Sequence, residues 1–249
     1  MAALTMGFYM QNFPRLNIAV YSDGANKRQI IEDYREGFVE GFTTNPTLMA
    51  KAGLNDYKGF AKSVLLEVTK LPISFEVFSD EFDQMEKQAL EIASWGENVN
   101  VKIPIMNTKG ESSIPLIQKL LERGVKLNVT AVFTKVQLEE IRKVVGPKDD
   151  VIVSVFAGRI ADTGVDPVPT MNYAVDLFSS LDKIKVLWAS PREVLNIYQA
   201  EACGCDIITV TPDLIKKLKF RNHDLNQFSL ETVEMFYKDA VNAGFQIDV

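Results

Sequence analysis

Apolar, β-branched runs recur along the chain every 20 to 30 residues or so, and amphipathic segments of helix length fill the intervals. The runs are Asn17–Asp23, Gly41–Asn45, Pro72–Val77, Val99–Ile105, Lys126–Phe133, Val151–Gly158, Lys185–Ser190 and Asp206–Thr211. Between them, helices are expected over Lys27–Glu36, Asp56–Lys70, Asp80–Ser94, Ile114–Arg123, Lys135–Val145, Asn172–Leu181 and Arg192–Ala202. Alternating strands and helices imply right-handed βαβ units and a parallel sheet. Eight such repeats in 249 residues predict an α/β fold of the (β/α)8 TIM-barrel type, as a single domain over residues 1–249. No Gly-x-Gly-x-x-Gly follows the first run, which weakens an open dinucleotide-binding sheet. Beyond the eighth run come a short helix, Pro212–Lys219, a polar linker and a last helical segment, Ser229–Ala243. There Leu230, Val233, Phe236 and Tyr237 repeat at helical spacing, and this face suits either the parent barrel or a neighbouring subunit.

Composition narrows the function class. The net charge of −6 and the lack of a basic run argue against a nucleic-acid partner. No apolar stretch reaches the roughly 18 residues of a membrane span. Met1–Asn12 lacks the charged start and apolar run of a signal peptide, so a cytoplasmic protein is expected. Cys203 and Cys205 cannot easily close a disulfide across one residue and fall short of a zinc site's ligands. His223 is the single histidine and stands in a polar stretch. Neither a metal site nor a histidine-based triad is expected.

Lys102 is the residue that changes the picture. It interrupts the apolar run Val99-Asn-Val-Lys-Ile-Pro-Ile105, where an unpaired ammonium would be costly to bury. Burial favours the neutral amine, by up to roughly 3–5 pKa units for a fully buried lysine. A neutral amine is a nucleophile that forms a Schiff base with a carbonyl. Other polar residues gather at the ends of the same runs. Asp23 closes the first, Thr43, Thr44 and Asn45 the second, and Glu76 stands near the end of the third. Asn128 and Thr130 lie in the fifth, Ser154 and Arg159 in or after the sixth, Ser190 and Arg192 after the seventh. Period-two parity puts Ser74 with Glu76, Asn100 with Lys102, and Asn128 with Thr130. The C-terminal ends of barrel strands are where such enzymes build their active sites.

A Schiff-base reaction needs an amine, a carboxylate to move protons and partners for substrate hydroxyls. Lys102 supplies the first, and Asp23 and Glu76 are candidates for the second. Asn45 and Asn128 suit sugar hydroxyls, though Asn45 before Pro46 also suits a helix cap. Arg159, Ser190 and Arg192 form a candidate anion clamp. The competing reading of the arginines is surface pairing with Asp162 or Glu193, and that of Glu76 is plain neutralisation of Lys102.

These motifs resemble those of the transaldolase family. The matching stretches are Gly41-Phe-Thr-Thr-Asn-Pro-Thr47, Val101-Lys-Ile-Pro104, Gly124-Val-Lys-Leu-Asn-Val-Thr-Ala-Val-Phe133 and Phe156-Ala-Gly-Arg-Ile-Ala-Asp162. Leu187-Trp-Ala-Ser-Pro-Arg192 and Ala202-Cys-Gly-Cys-Asp-Ile-Ile-Thr209 continue the match in order. The resemblance implies a class I aldolase mechanism without cofactor or metal, with Lys102 as Schiff-base lysine and Asp23 as acid/base in carbon–carbon cleavage. It gives Glu76 and Thr130 a proton-relaying water, and Asn45, Asn128 and Ser154, with Thr43 and Phe156 beside them, the dihydroxyacetone part of the substrate. Arg159, Ser190 and Arg192 would take the phosphate. The family moves dihydroxyacetone from a ketose phosphate, such as sedoheptulose 7-phosphate or fructose 6-phosphate, to an aldose phosphate. A sister branch, the fructose-6-phosphate aldolases, releases dihydroxyacetone and carries glutamine and tyrosine where this chain has Glu76 and Phe156. Both positions here favour transfer. Short members assemble as pentamers or decamers through the C-terminal helix, so a homo-oligomer is expected. Gly24 and Pro191 depart from the family pattern beside Asp23 and within the phosphate stretch. A barrel that only binds sugar phosphate is the remaining alternative.

Overall fold

The computed structural model describes residues 16–247; the stretch Met1–Asn12 lies outside the described residues. Eight parallel strands close into a barrel in chain order. They are β1 (Ala19–Asp23), β2 (Gly41–Thr43), β3 (Ile73–Glu76), β4 (Val99–Pro104), β5 (Leu127–Val132), β6 (Val151–Val155), β7 (Ile184–Trp188) and β8 (Ile207–Val210). The seam is made by β1 and β8, with Tyr21 opposite Thr209.

Each strand buries both faces, as a parallel sheet under helices requires. Outward residues such as Val101, Ile103, Val129 and Val153 are fully buried against the helices. The helices between the strands are α1 (Lys27–Glu36), α2 (Pro46–Lys51), α3 (Tyr57–Leu65), α4 (Phe82–Ala93), α5 (Ile114–Glu122), α6 (Lys135–Val144), α7 (Ala157–Ala161), α8 (Val168–Phe178) and α9 (Leu195–Ala202). After β8 follow α10 (Pro212–Lys217), a 3-10 turn and α11 (Leu225–Ala243). Inside the barrel Tyr21, Ile152, Leu187, Ala189 and Ile207 form a separate apolar cluster. Gly41 makes room for it: a Cβ there would sit 2.5 Å from the Tyr21 ring.

Two short helices were not expected: α2 lies between the second run and the helix expected from Asp56, and α7 overlaps the expected end of the sixth run, Val151–Gly158. Both begin within three residues of a strand's end. Asn45 accepts a hydrogen bond from the Leu48 N–H and caps α2, whose first residue is Pro46. Helix α8 starts at Val168, four residues earlier than its apolar spacing suggests, because Pro169 fits a first turn. Helix α11 likewise starts at Leu225 instead of Ser229. Asp224 caps it by accepting from the Gln227 N–H, a bond hidden in what reads as polar linker. None of its residues is buried in the chain. Among the described residues no helix is long and apolar enough to cross a membrane.

Candidate active site

Strand parity turns Asp23, Thr43, Lys102, Thr130, Ser154 and Thr209 into one cavity of about 530 Å³ at the C-terminal mouth of the barrel. Glu76, Asn45, Phe156, Arg159, Ser190 and Arg192 line it as well. A wider opening of about 720 Å³ lies at the opposite mouth, lined by Tyr21, Asn100, Lys126 and Lys185 among others. Two of its lysines are engaged, Lys126 by the Glu97 carbonyl at 2.9 Å and Lys185 by Asp206 at 3.0 Å. It also faces the strands' N-terminal ends, where conserved features of barrels serve stability rather than chemistry.

Lys102 lies in β4, one residue past Val101, and its side chain is 7% exposed. Its Nζ is 3.0 Å from Glu76 Oε2 and donates to the Thr44 carbonyl at 2.9 Å. Register places Glu76 directly opposite Lys102 across β3 and β4. The amine is therefore buried with a charge partner and a dipole, and one side remains open to the cavity.

Asp23, at the end of β1, accepts a 2.7 Å hydrogen bond from the Thr43 hydroxyl. That hydroxyl also meets the Thr209 hydroxyl of β8 at 2.5 Å. Burial pushes the Asp23 carboxyl above its ordinary range; the Lys102 charge and the Thr43 bond pull it partly back, while Glu76 pushes it further up. Two carboxylates thus flank one amine in unlike surroundings, an arrangement that separates acid and base roles.

Thr130 presents a buried hydroxyl with no hydrogen-bond partner among the described residues. The next residue, Ala131, has φ 57°, and the pairing with β6 shifts between Val129 and Val132. An irregularity of this kind at a barrel rim re-aims side chains. Asn128 sits one layer lower and does not line the cavity. Its amide nitrogen donates to Ser74 Oγ at 3.0 Å, and its oxygen accepts from Ser154 Oγ at 2.7 Å. It therefore holds Ser154, which does reach the cavity. Asn45 lines the cavity while its oxygen caps α2.

At the far side Phe156 packs on Phe133 with ring centroids 5.6 Å apart, and the Arg159 guanidinium lies 5.6 Å from the Phe156 ring. Arg192 Nε donates to Asp162 Oδ1 at 3.1 Å and a second guanidinium nitrogen to Oδ2, and this pairing holds the Asp162 carboxyl below its usual range. So the surface pairing weighed for Arg192 is present, and the same arginine lines the cavity. Ser190 takes the left-handed region at φ 59° just before Pro191. A Cβ at Gly24 would meet nothing within 4 Å, so this departure leaves its surroundings open. Thr209, Lys51 and Tyr57 belong to the site or its frame and were not read from the sequence. Thr209 hides in an apolar run, and its role depends on β8 meeting β1. Among the described residues no group of three His, Cys, Asp or Glu side chains comes together as a metal-ligand set.

Residues 20–248 match the transaldolase/fructose-6-phosphate aldolase family. Among curated relatives, a "Probable transaldolase" of Dehalococcoides mccartyi is 34% identical over 77% of this chain and 85% of that protein. Another "Probable transaldolase", from Bdellovibrio bacteriovorus, is 31% identical over 88% of this chain and 95% of its own length. A third, from Nitrosopumilus maritimus, is 31% identical over 88% and 93% respectively. The crystal structure of a "putative lyase/mutase" from Burkholderia cenocepacia J2315 superposes with a TM-score of 0.59 at 12% identity, covering 94% of this chain and 88% of that one. At that identity the likeness concerns the barrel alone.

Proposed function

Because the chain belongs to the transaldolase/fructose-6-phosphate aldolase family and is an enzyme of that kind, we propose that it transfers dihydroxyacetone through a Schiff base on Lys102. The donor is a ketose phosphate, sedoheptulose 7-phosphate or fructose 6-phosphate. The acceptor is an aldose phosphate, glyceraldehyde 3-phosphate or erythrose 4-phosphate. The observation that carries this reading is the buried Lys102 amine, 3.0 Å from Glu76 and facing the cavity that also holds Asp23.

In this reading Glu76 takes a proton from the Lys102 ammonium, and the neutral amine adds to the C2 carbonyl of the ketose. Water leaves the carbinolamine and an iminium remains; the Thr130 hydroxyl, without a partner among the described residues, holds the water that relays these protons. Asp23 then accepts the proton of the C4 hydroxyl. The C3–C4 bond breaks, its electron pair passes to the iminium nitrogen, and the aldose departs from an enamine on Lys102. A carboxylate whose proton affinity is raised by burial suits this base role. The enamine carbon attacks the acceptor's aldehyde, Asp23 returns its proton to the new hydroxyl, and water frees the product ketose from Lys102. Ser154 and Asn45 face the hydroxyls of the three-carbon unit, and Arg159, Ser190 and Arg192 face the phosphate. Release of dihydroxyacetone needs the enamine carbon protonated and the resulting iminium hydrolysed by water; Phe156 has no hydroxyl to assist that water, and this supports transfer over release.

The exposed apolar face of α11, including Leu230, Val233, Phe236 and Tyr237, supports packing on a second copy of the chain in a homo-oligomer, a pentamer or decamer. A cytoplasmic setting accompanies this reading. The central test is borohydride trapping with fructose 6-phosphate followed by peptide mass spectrometry. A reduced three-carbon adduct on Lys102, absent from Lys102→Ala, is expected. No adduct with any ketose phosphate would leave Lys102 structural and favour a barrel that only binds sugar phosphates.

A further inference from the structure

The β2–β3 ladder stops in an unusual way beside the reactive lysine. Phe42 N–H donates to the Pro72 carbonyl at 2.9 Å and Thr44 N–H to the Ser74 carbonyl at 3.1 Å, the evenly spaced pattern of a parallel pair. Continued one step, that pattern has the Glu76 N–H donating to the Thr44 carbonyl and the N–H of residue 46 donating to the Glu76 carbonyl. Neither bond forms. Residue 46 is Pro46, which has no N–H. The Thr44 carbonyl accepts instead from Lys102 Nζ. Both backbone groups of Glu76 would then be left without partners near the floor of the cavity, a costly condition for buried polar groups.

Tyr57, the first residue of α3, supplies both missing bonds with one hydroxyl. It donates to the Glu76 carbonyl at 2.8 Å and accepts from the Glu76 N–H at 2.8 Å. Its ring is clamped edge-on by Phe75 and Phe78 and packs on Trp95, with centroids 6.3, 5.4 and 5.7 Å away. Burial pushes the phenol above its usual range, so it keeps the proton it donates.

We propose that Tyr57 is a positioning residue: its hydroxyl replaces the terminal ladder bonds of β3, which fixes Glu76 against Lys102 and frees the Thr44 carbonyl to hold the Lys102 amine. Without it the Glu76 N–H recaptures the Thr44 carbonyl, the amine loses one of its two contacts, and the Glu76 carboxylate is no longer held at 3.0 Å. This inference rests on the Schiff-base reading of Lys102, and the test separates the two.

Tyr57→Phe keeps the ring and removes the hydroxyl. Turnover of fructose 6-phosphate with erythrose 4-phosphate is expected to fall by about 10- to 100-fold in kcat, the scale of a catalytic group misplaced by an ångström, with KM within about twofold. Formation of the borohydride-trapped Lys102 adduct slows in parallel. Trp95→Phe is the control: it loosens the same aromatic cluster but leaves the hydroxyl, so it lowers the melting temperature without slowing adduct formation. In case Tyr57→Phe folds poorly, 4-aminophenylalanine introduced at position 57 restores a group that donates and accepts at the same place, and it is expected to recover most of the lost rate. Wild-type adduct with an undiminished rate in Tyr57→Phe would overturn the positioning role and leave the Schiff base standing. Equal losses in both phenylalanine variants, or no recovery with the amino analogue, would reduce Tyr57 to a packing residue and overturn it too. No adduct in the wild type would remove the Schiff base and this role together.

Discussion

Gly158 is the most tightly constrained backbone position at the end of the cavity lined by Arg159, Ser190 and Arg192. It lies in the first turn of α7, between Ala157 and Arg159, and its N–H donates to the Ala189 carbonyl at 3.1 Å. A Cβ on Gly158 would fall 1.5 Å from the Ser190 carbonyl oxygen and 2.5 Å from its carbon. Real Cβ atoms essentially never approach a heavy atom closer than 3.0 Å, so Gly158→Ala must drive these two backbones apart by about 1.5 Å. The obstacle is main chain on both sides, and Ser190 at φ 59° before Pro191 has little freedom to rotate away. Arg159 moves with one side and Ser190 with Arg192 moves with the other. A displacement of this size costs about 100-fold in kcat/KM when it falls on substrate-holding groups. The loss is expected mainly in KM for fructose 6-phosphate, and it is expected to stay below about tenfold for unphosphorylated fructose, which makes no use of the clamp. Overpacking should also cost roughly 1–3 kcal/mol of stability. That corresponds to a melting point lower by about 2–4 °C per kcal/mol in a chain of this size. Steady-state kinetics with the two ketoses and thermal unfolding would check both parts. An alanine variant that melts with the wild type and keeps its KM would refute the claim that these loops are held in contact by glycine.

Arg192→Ala should raise KM for phosphorylated substrates by an amount worth about 1.5–3 kcal/mol and leave folding nearly unchanged, since its pair with Asp162 is half-exposed. An equal effect on unphosphorylated ketoses would place the clamp elsewhere. Asp23→Asn should abolish transfer yet stabilise the fold at neutral pH. The native Asp23 carboxyl holds its proton above the ordinary 3.8, so the native state binds more protons than the unfolded chain from about that pH up to the raised value, and stability falls as pH rises through this window. The gain in melting temperature from Asp23→Asn should therefore grow as pH rises from the ordinary 3.8 and level off once the raised value is passed; a gain independent of pH would contradict the sign. Glu76→Gln combined with Phe156→Tyr should raise release of free dihydroxyacetone relative to transfer, measured by coupled reduction, and an unchanged ratio would count against the assigned roles. Removing residues 224–249 should reduce the light-scattering mass towards one chain, and an unchanged mass would mean α11 does not hold the assembly together.

Much of the barrel was legible because its signals are repetitive. Val99–Pro104 and Leu127–Val132 alternate small polar and β-branched residues, so parity alone put Lys102 on a shared face with Asn100, and Thr130 with Asn128. Lys102 stood out because an amine in such a run is expensive unless something offsets it. What parity could not show was depth along the barrel axis: Asn128 and Thr130 share a face, yet one is tied up between Ser74 and Ser154 and the other opens to the cavity. Tyr57 carried no signal at all, since it reads as the start of an amphipathic helix, and its task exists only because Pro46 leaves a carbonyl without a donor. The short helices α2 and α7 were missed for a related reason. Their six and five residues are too few for periodicity, and they depend on the strand ends they follow.

The hydrogen-bond chain from Asp23 through Thr43 to Thr209 joins side chains 166 residues apart in its second link. On a ribosome adding about 5–20 residues per second, the first strand leaves long before the last is made. Asp23 therefore spends the whole of synthesis without the neighbour that completes its setting, and only the arrival of Ile207–Val210 beside β1 supplies it. The adjacent strands that carry Glu76 and Lys102 are both made much earlier. With the roles proposed above, a chain halted short of β8 would own its nucleophile but lack the finished proton acceptor, which would tie the onset of chemistry to the last step of barrel closure.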